Sequence, residues 1–342
     1  MKKCFFSLLP GIALLISGCN NTSNNIDIPE PNPLKTEAVL DLTQLGILAP
    51  KSLAVVSDSL YIQSEQGGGN LIFMMAGDTV ISGITLGQGN GEILEVASLR
   101  AHRGCPDVYD GVRGKINSVH IVDSGLILKE DAVVPRFLDD AVILCDGNIL
   151  TFPLDKNYSV ALLDGNGNII DSLCYFPPKP SGVSDLTHSL ACSGFLGVVD
   201  STHFARSVAY DGGVEFYAIK DEKLFHIRRW SLFDMDYDVL KQGPGVPVPN
   251  EKSRSGFQKI VGTDNYFYVS FSSAYALDNP QGVCSVIYVF NKDGELLKLF
   301  QPQYEFDDFI VSKDNSKVYL IATDPITEHS ILYEGELAKE MN

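Results

Sequence analysis

"LLDGNGNIIDSL", residues 162–173, lies residue for residue over "VFNKDGELLKLF", residues 289–300. In each, an apolar pair runs into Asp or Asn, a glycine follows, and a second apolar pair comes after it. Asp164 falls over Asn291, Gly167 over Gly294, and Ile169–Ile170 over Leu296–Leu297. This is the pattern of a β-hairpin, two strands around a turn whose glycine takes a positive φ. "FMMAGDTVISGITL" (73–86) is a third copy around Gly77, and "FYAIKDEKLFHIRRW" (216–230) a fourth with Lys220–Lys223 as the turn. "INSVHIVDSGLILKE" (116–130) is a weaker copy, and "SKVYLIATDPITEHSILYEGEL" (316–337) repeats the strand–loop–strand form.

Alternating strands beginning near Ser59, Asn148, Ser207 and Asn265 precede four of these hairpins. From residue 47 onward no amphipathic helix longer than two turns is legible. Six units of about 50 residues, each a meander of short strands, predict an all-β chain. The architecture expected is a six-bladed β-propeller of four-stranded antiparallel blades, in which radial closure hides most strand edges. A pair of β-sandwiches or a seven-bladed propeller competes, but a sandwich does not need one hairpin to recur so often.

The chain opens "MKKCFFSLLPGIALLISGCN". Two lysines precede an apolar run from Phe5 to Ile16, too short to span a bilayer and of the length found in signal peptides. Leu15-Ile16-Ser17-Gly18-Cys19 resembles the lipobox of bacterial lipoproteins, which implies cleavage before Cys19 and acylation of its thiol. Residues 1–18 are then a lipoprotein signal peptide. Residues 19–36, rich in Asn and carrying Pro29, Pro31 and Pro33, form a flexible polar tether, and 37–342 the propeller. The expected partner is a membrane, held through lipid on Cys19, since stable anchoring takes about two acyl chains. Asn20 rather than Asp after the cysteine favours the outer membrane; which face stays open.

Twenty-six basic residues stand against 43 acidic, a formal net charge of −17. That balance opposes nucleic-acid binding, which depends on neutralising phosphates. Besides Cys4 and Cys19 there are five cysteines, an odd number with no C-x-x-C spacing, so neither a zinc knuckle nor a fixed disulfide framework follows. Both paired and free thiols remain open.

"LGQGNGEI" (86–93) tempts a nucleotide reading. Gly87 and Gly89 fit a dinucleotide fingerprint, but Glu92 occupies the third glycine position, where a carboxylate repels phosphate. The expectation is a crossover between blades, with glycines in conformations closed to other residues and Glu92 accepting from loop amides. With the lipobox and the six units, Gly87, Gly89, Gly91 and Glu92 resemble the G-x-G-P-G-E motif of the TolB-like six-bladed propeller lipoproteins, Asn90 standing for proline. "FARSVAYDGGVEFYAI" (204–219) resembles their mid-chain strand pair around a Gly-Gly turn. The resemblance implies the fold and an envelope address, and little about activity.

"DGNGN" (164–168) offers oxygens at alternate positions, but Ile169 and Tyr175 stand where an EF-hand needs Gly and Glu. The six histidines form neither H-x-H nor H-E-x-x-H, and no G-x-S-x-G occurs. No metal ligand set, cofactor or catalytic residue is identified. The cluster that stands out in so acidic a chain is Arg100, His102 and Arg103, with Arg136, Arg206 and the Arg228–Arg229 pair also near strand ends. A ring of such residues at a funnel mouth could bind a carboxylate or acidic glycan bidentately; the competing reading is ordinary ion pairing. Two functions are weighed. The first is a non-enzymatic binding or scaffolding module for a protein or glycan partner, which predicts a basic or aromatic mouth. The second is a propeller hydrolase or lactonase acting on a small molecule or glycan, with a metal or carboxylate pair in the central funnel.

Overall fold

A computed structural model describes residues 28–337, apart from 68–69, 78, 90, 102, 124, 136–137, 154–157, 209 and 241–244. The expected signal peptide, Cys19 and half of the expected tether (residues 19–27 of 19–36) lie outside the described residues. Blade one is built from Pro50–Val56, Ser59–Gly67, Asn70–Ala76 and Thr79–Thr85. Blade two is Ser98–Arg100, Asp107–Asp110, Lys115–Val122 and Gly125–Val133; blade three is Leu138–Ile143, Ile149–Pro153, Val160–Leu163 and Ile169–Leu173. Blade four is Gly194–Val198, His203–Val208, Gly213–Lys220 and Lys223–Ser231, and blade five Arg254–Gly262, Tyr266–Tyr275, Val286–Asn291 and Leu296–Pro302. Each is an antiparallel meander in chain order, so the chain is a six-bladed β-propeller.

Blade six closes the ring differently. Asp308–Val311, Lys317–Thr323 and Ser330–Glu336 supply three strands, and Thr36–Asp41 from the other end of the chain supplies the outermost. A strand is formed ahead of residue 36 as well. Asn32–Leu34 pairs in parallel with the outer strand of blade five, Pro33 opposite Gln301. Leu34, 2% exposed, joins the hydrophobic core there, which is burial enough to order a segment that its prolines alone would leave extended.

The core lies between the faces of neighbouring blades. Between blades three and four, Leu150, Phe152 and Leu162 meet Phe204, Tyr217 and Leu224. Third strands such as Val160–Leu163 are buried on both faces and read as continuous apolar runs; outer strands such as Gly125–Val133 are mostly exposed.

The matching hairpins match in atomic detail. Asp164 Oδ1 accepts from the amides of Asn166 and Asn168, and Asn291 Oδ1 accepts from those of Asp293 and Glu295. Gly167 and Gly294 follow at φ +83° and +76°. The oxygens at 164–168 thus serve an Asx turn. The long link 174–193 carries the one helix among the described residues, Asp185–Ala191, capped by Ser184, which accepts from the Thr187 amide.

The 86–93 loop joins blades one and two. Glu92 turns back into it and accepts from the Gly89 amide at 2.6 Å. A Cβ on Gly87 would sit 2.0 Å from Glu92 Oε2 and push that carboxylate aside, whereas Gly91 is required by its φ of +82°. Arg113 donates to the carbonyls of Glu92 and Gly87 from the other side. A carboxylate fills the place a phosphate would take.

Candidate functional site

The innermost strands of all six blades line a cleft of about 700 Å³. Three of them carry a β-bulge there. Lys51, Asp139 and Gln258 are each an extra residue facing no partner in the neighbouring strand. A bulge breaks the alternation of a strand and aims two consecutive side chains toward one side. Lys51 with Ser52, Asp139 with Asp140, and Gln258 with Lys259 all line the cleft.

The chain's two Asp-Asp doublets, "LDDAVI" (138–143) and "FDDFIV" (306–311), both open innermost strands, in blades three and six. In a six-membered ring these blades face each other across the axis. The second Asp of each doublet is buried and takes a cation from the blade before it. Arg100 of blade two grips Asp140 with both guanidinium nitrogens, Nη1 at 2.8 Å from Oδ1. Lys259 of blade five holds Asp308 at 2.6 Å, and Asp308 also accepts from the Leu53 amide of blade one at 2.8 Å. One carboxylate thereby ties blades five, six and one.

The first Asp of each doublet keeps a different company. Asp139 accepts from the Gly194 amide of blade four at 2.7 Å, and Asp307 from the Thr323 hydroxyl at 3.1 Å. Burial pushes the Asp139 carboxyl up to about 6, against the Gly194 hydrogen bond and with Asp140 adding its repulsion. Burial likewise raises Asp307. Two carboxyls raised by burial therefore line the cleft, each beside an aspartate in an ion pair. Six carboxylates (Glu65, Glu95, Asp139, Asp140, Asp307, Asp308) face it against three cations (Lys51, Arg100, Lys259), with one aromatic ring, Phe195. Among the described residues no three His, Cys, Asp or Glu side chains are grouped to hold a metal ion.

Of the residues singled out in sequence, Arg100 lines this cleft, but its guanidinium is occupied by Asp140. Arg103 is held by Asp107 and Asp131 at 2.6 and 2.8 Å. Arg206 lies inside blade four, 3% exposed, between the rings of Phe152 and Phe176. Arg229 is paired with Asp211 at 2.7 Å, and Arg228 reaches Glu295 at 4.0 Å. His102 and Arg136 lie outside the described residues. The guanidiniums described here are engaged by the protein's own carboxylates or buried. Asp139, Asp307 and Lys259 were not singled out in sequence; the repeated Asp-Asp doublet was the signal that could have found them. Cys105, Cys145, Cys174, Cys192 and Cys284 are all free.

This architecture has known counterparts. The cleft, its bulged inner strands and the closing N-terminal strand belong to one fold. The chain is a six-bladed β-propeller. A Bacteroides fragilis protein described as exported shares it at 13% identity and a TM-score of 0.52, over 90% of this chain and 96% of that one. A gluconolactonase of Xanthomonas campestris is 12% identical, with a TM-score of 0.47 over 91% and 99% of the two chains. The PQQ-bound aldose sugar dehydrogenase of Streptomyces coelicolor is 11% identical, with a TM-score of 0.46 over 88% and 96%. No protein-family model and no curated protein matches the chain. Likeness at such identities is one of fold.

The expectation of a non-enzymatic binding or scaffolding module is corrected. It required a basic or aromatic mouth, and among the described residues the cleft lining sets six acidic side chains against three basic ones and a single ring. The hydrolase alternative accords better with a cleft built around carboxyls raised by burial.

Proposed function

We propose that this protein is a hydrolase of the lactonase kind, acting in the central cleft on a small uncharged, hydroxyl-rich molecule, a lactone or a glycan. One observation carries the reading: Asp139, poised near pH 6, faces the cleft beside the Arg100–Asp140 ion pair. A carboxyl poised there can take a proton from water or give one to a leaving oxygen near neutral pH. Asp307, raised by burial, supplies a second carboxyl from the facing blade. The excess of carboxylates disfavours anionic substrates and leaves hydroxyl groups as the natural partners of the cleft.

The finer address is part of the same proposal. The Leu15–Cys19 motif and the polar segment after it support a lipid anchor on Cys19 at the outer membrane. The exported Bacteroides neighbour accords with an envelope location, and Gly87, Gly89, Gly91 and Glu92 support kinship with the TolB-like lipoproteins.

The test is hydrolysis by the chain from residue 20 onward of uncharged lactones, followed by pH-stat, and of neutral glycosides, followed by release of reducing sugar. Turnover is expected to fall at least a hundredfold in Asp139→Asn, within the range that general acid–base catalysis contributes. The proposal fails if the native chain hydrolyses none of the panel above background, or if Asp139→Asn turns over unchanged.

A further inference from the structure

A line of charge runs through blade four behind the cleft. Arg206 lies opposite Glu215, and Glu215 opposite Arg229, on three successive strands. Arg206 and Glu215 are 3% and 1% exposed. The Tyr217 hydroxyl donates to Glu215 Oε2, and Arg206 Nη1 stands 3.6 Å from the same oxygen. Arg206 Nη2 donates to the carbonyl of Cys192. Two residues on, the Gly194 amide donates to Asp139. The segment between is fixed at both ends, because a Cβ on Gly194 would meet the Ser207 carbonyl oxygen at 1.9 Å.

We propose that Arg206 is a positioning residue for Asp139, acting from behind the cleft by holding the Cys192–Gly194 segment whose amide caps that carboxyl. The inference rests on the proposed role of Asp139 in the cleft. The neighbours of Asp139 from each packed element are Asp140, itself gripped by Arg100; Tyr109 of blade two; and Arg206 of blade four. Among them Arg206 is the cation with no contact to the cleft, and its field and its hold on the segment act in one direction. Both favour the ionised carboxyl. Its partner Glu215 opposes that field, so the two residues pull the titration of Asp139 opposite ways.

The experiment follows the carboxyl carbon of Asp139 by NMR through a pH titration of the chain from residue 20 onward, with Asp139→Asn assigning the signal. Arg206→Met is expected to move the midpoint up by about one pH unit, a tenfold gain in proton affinity. Glu215→Gln is expected to move it down. Arg206→Lys keeps the charge but loses the fork on Cys192, and is expected to restore no more than half of the methionine shift. An unmoved midpoint in folded Arg206→Met overturns the proposal, as does full restoration by lysine, which would leave the segment with no part. Should Arg206→Met fail to fold, Glu215→Gln and Arg206→Lys decide: a fall in the first and a rise in the second support it, any other pair overturns it. The readout needs no turnover, so loss of the hydrolase reading and loss of this one are separable.

Discussion

Lys259 Nζ stands 2.6 Å from Asp308 Oδ2, and the pair joins the innermost strands of blades five and six at the mouth of the channel. Burial pulls the lysine down and pushes the aspartate up, each against the attraction of the other. A pair that mutual attraction must hold ionised is sensitive to losing one member. Lys259→Met leaves Asp308 buried with backbone donors alone and is expected to destabilise by about 3–5 kcal/mol, whereas Lys259→Met with Asp308→Leu recovers most of that loss. Urea unfolding of the two singles and the double measures the coupling; additive losses would show that the pair does not act as a unit.

Asp139 and Asp211 both titrate near 6 in the native protein, in each case chiefly through burial. Unfolded aspartates lose their protons near 4. Between those values the native state holds protons that the unfolded chain has released, so stability falls as pH rises through about 6. Asp200 is held low by Lys292 and the Thr202 donors against its own desolvation, so its contribution is lost on acidification instead. Stability is therefore expected to peak in mildly acid solution. Asp139→Asn mimics the protonated form and should match the native chain near pH 3.5, below the unfolded value, but melt several degrees higher at pH 7.5, a gain of about 1–3 kcal/mol. Calorimetry at the two pH values checks it, and an equal difference at both would contradict the assignment.

The hairpins were legible because their chemistry is local: an Asx side chain and a positive-φ glycine within five residues write the turn at 164–168 and again at 291–295. The six-blade count was legible from their recurrence. The closing of blade six was not, because its outer strand, Thr36–Asp41, lies almost 300 residues from its partner and belongs to no local repeat. The candidate site was hidden for a related reason. Asp139 meets Gly194 across 55 residues and Lys259 meets Asp308 across 49. The bulges that turn consecutive side chains into the cleft leave no mark in an alternation pattern. The arginines drew notice by their rarity, and rarity says nothing about which of them are already paired.

Two glycines of the 86–93 loop should respond differently to the same change. Gly91 has open space around it and a φ of +82°, so Gly91→Ala carries the backbone penalty alone, about 1–2 kcal/mol. Gly87→Ala pushes the Glu92 carboxylate aside and breaks its bond to the Gly89 amide, for a loss of about 0.5–1.5 kcal/mol. Adding Glu92→Ala should relieve much of the second loss and none of the first. Thermal melts of the four variants test this, and equal relief in both backgrounds would contradict it.

The closing strand makes the last prediction a matter of where the chain is cut. Thr36–Asp41 covers the edge of Ser330–Glu336, and Asp41 Oδ2 accepts from His329 at 2.7 Å, a contact spanning 288 residues. The propeller forms one unit from Pro31 onward, so the chain that begins there is the reference for shorter ones. Removing residues 1–35 takes the parallel strand Asn32–Leu34 and buried Leu34, and should lower the melting temperature by several degrees, about 2 kcal/mol of lost apolar burial. Removing residues 1–41 bares the Ser330–Glu336 edge, whose Leu332 and Tyr333 belong to the core, and an uncovered edge pairs with other chains. That last truncation should elute as aggregates on size exclusion. A monomeric product that melts like the native chain would show that the ring does not depend on its N-terminal strand.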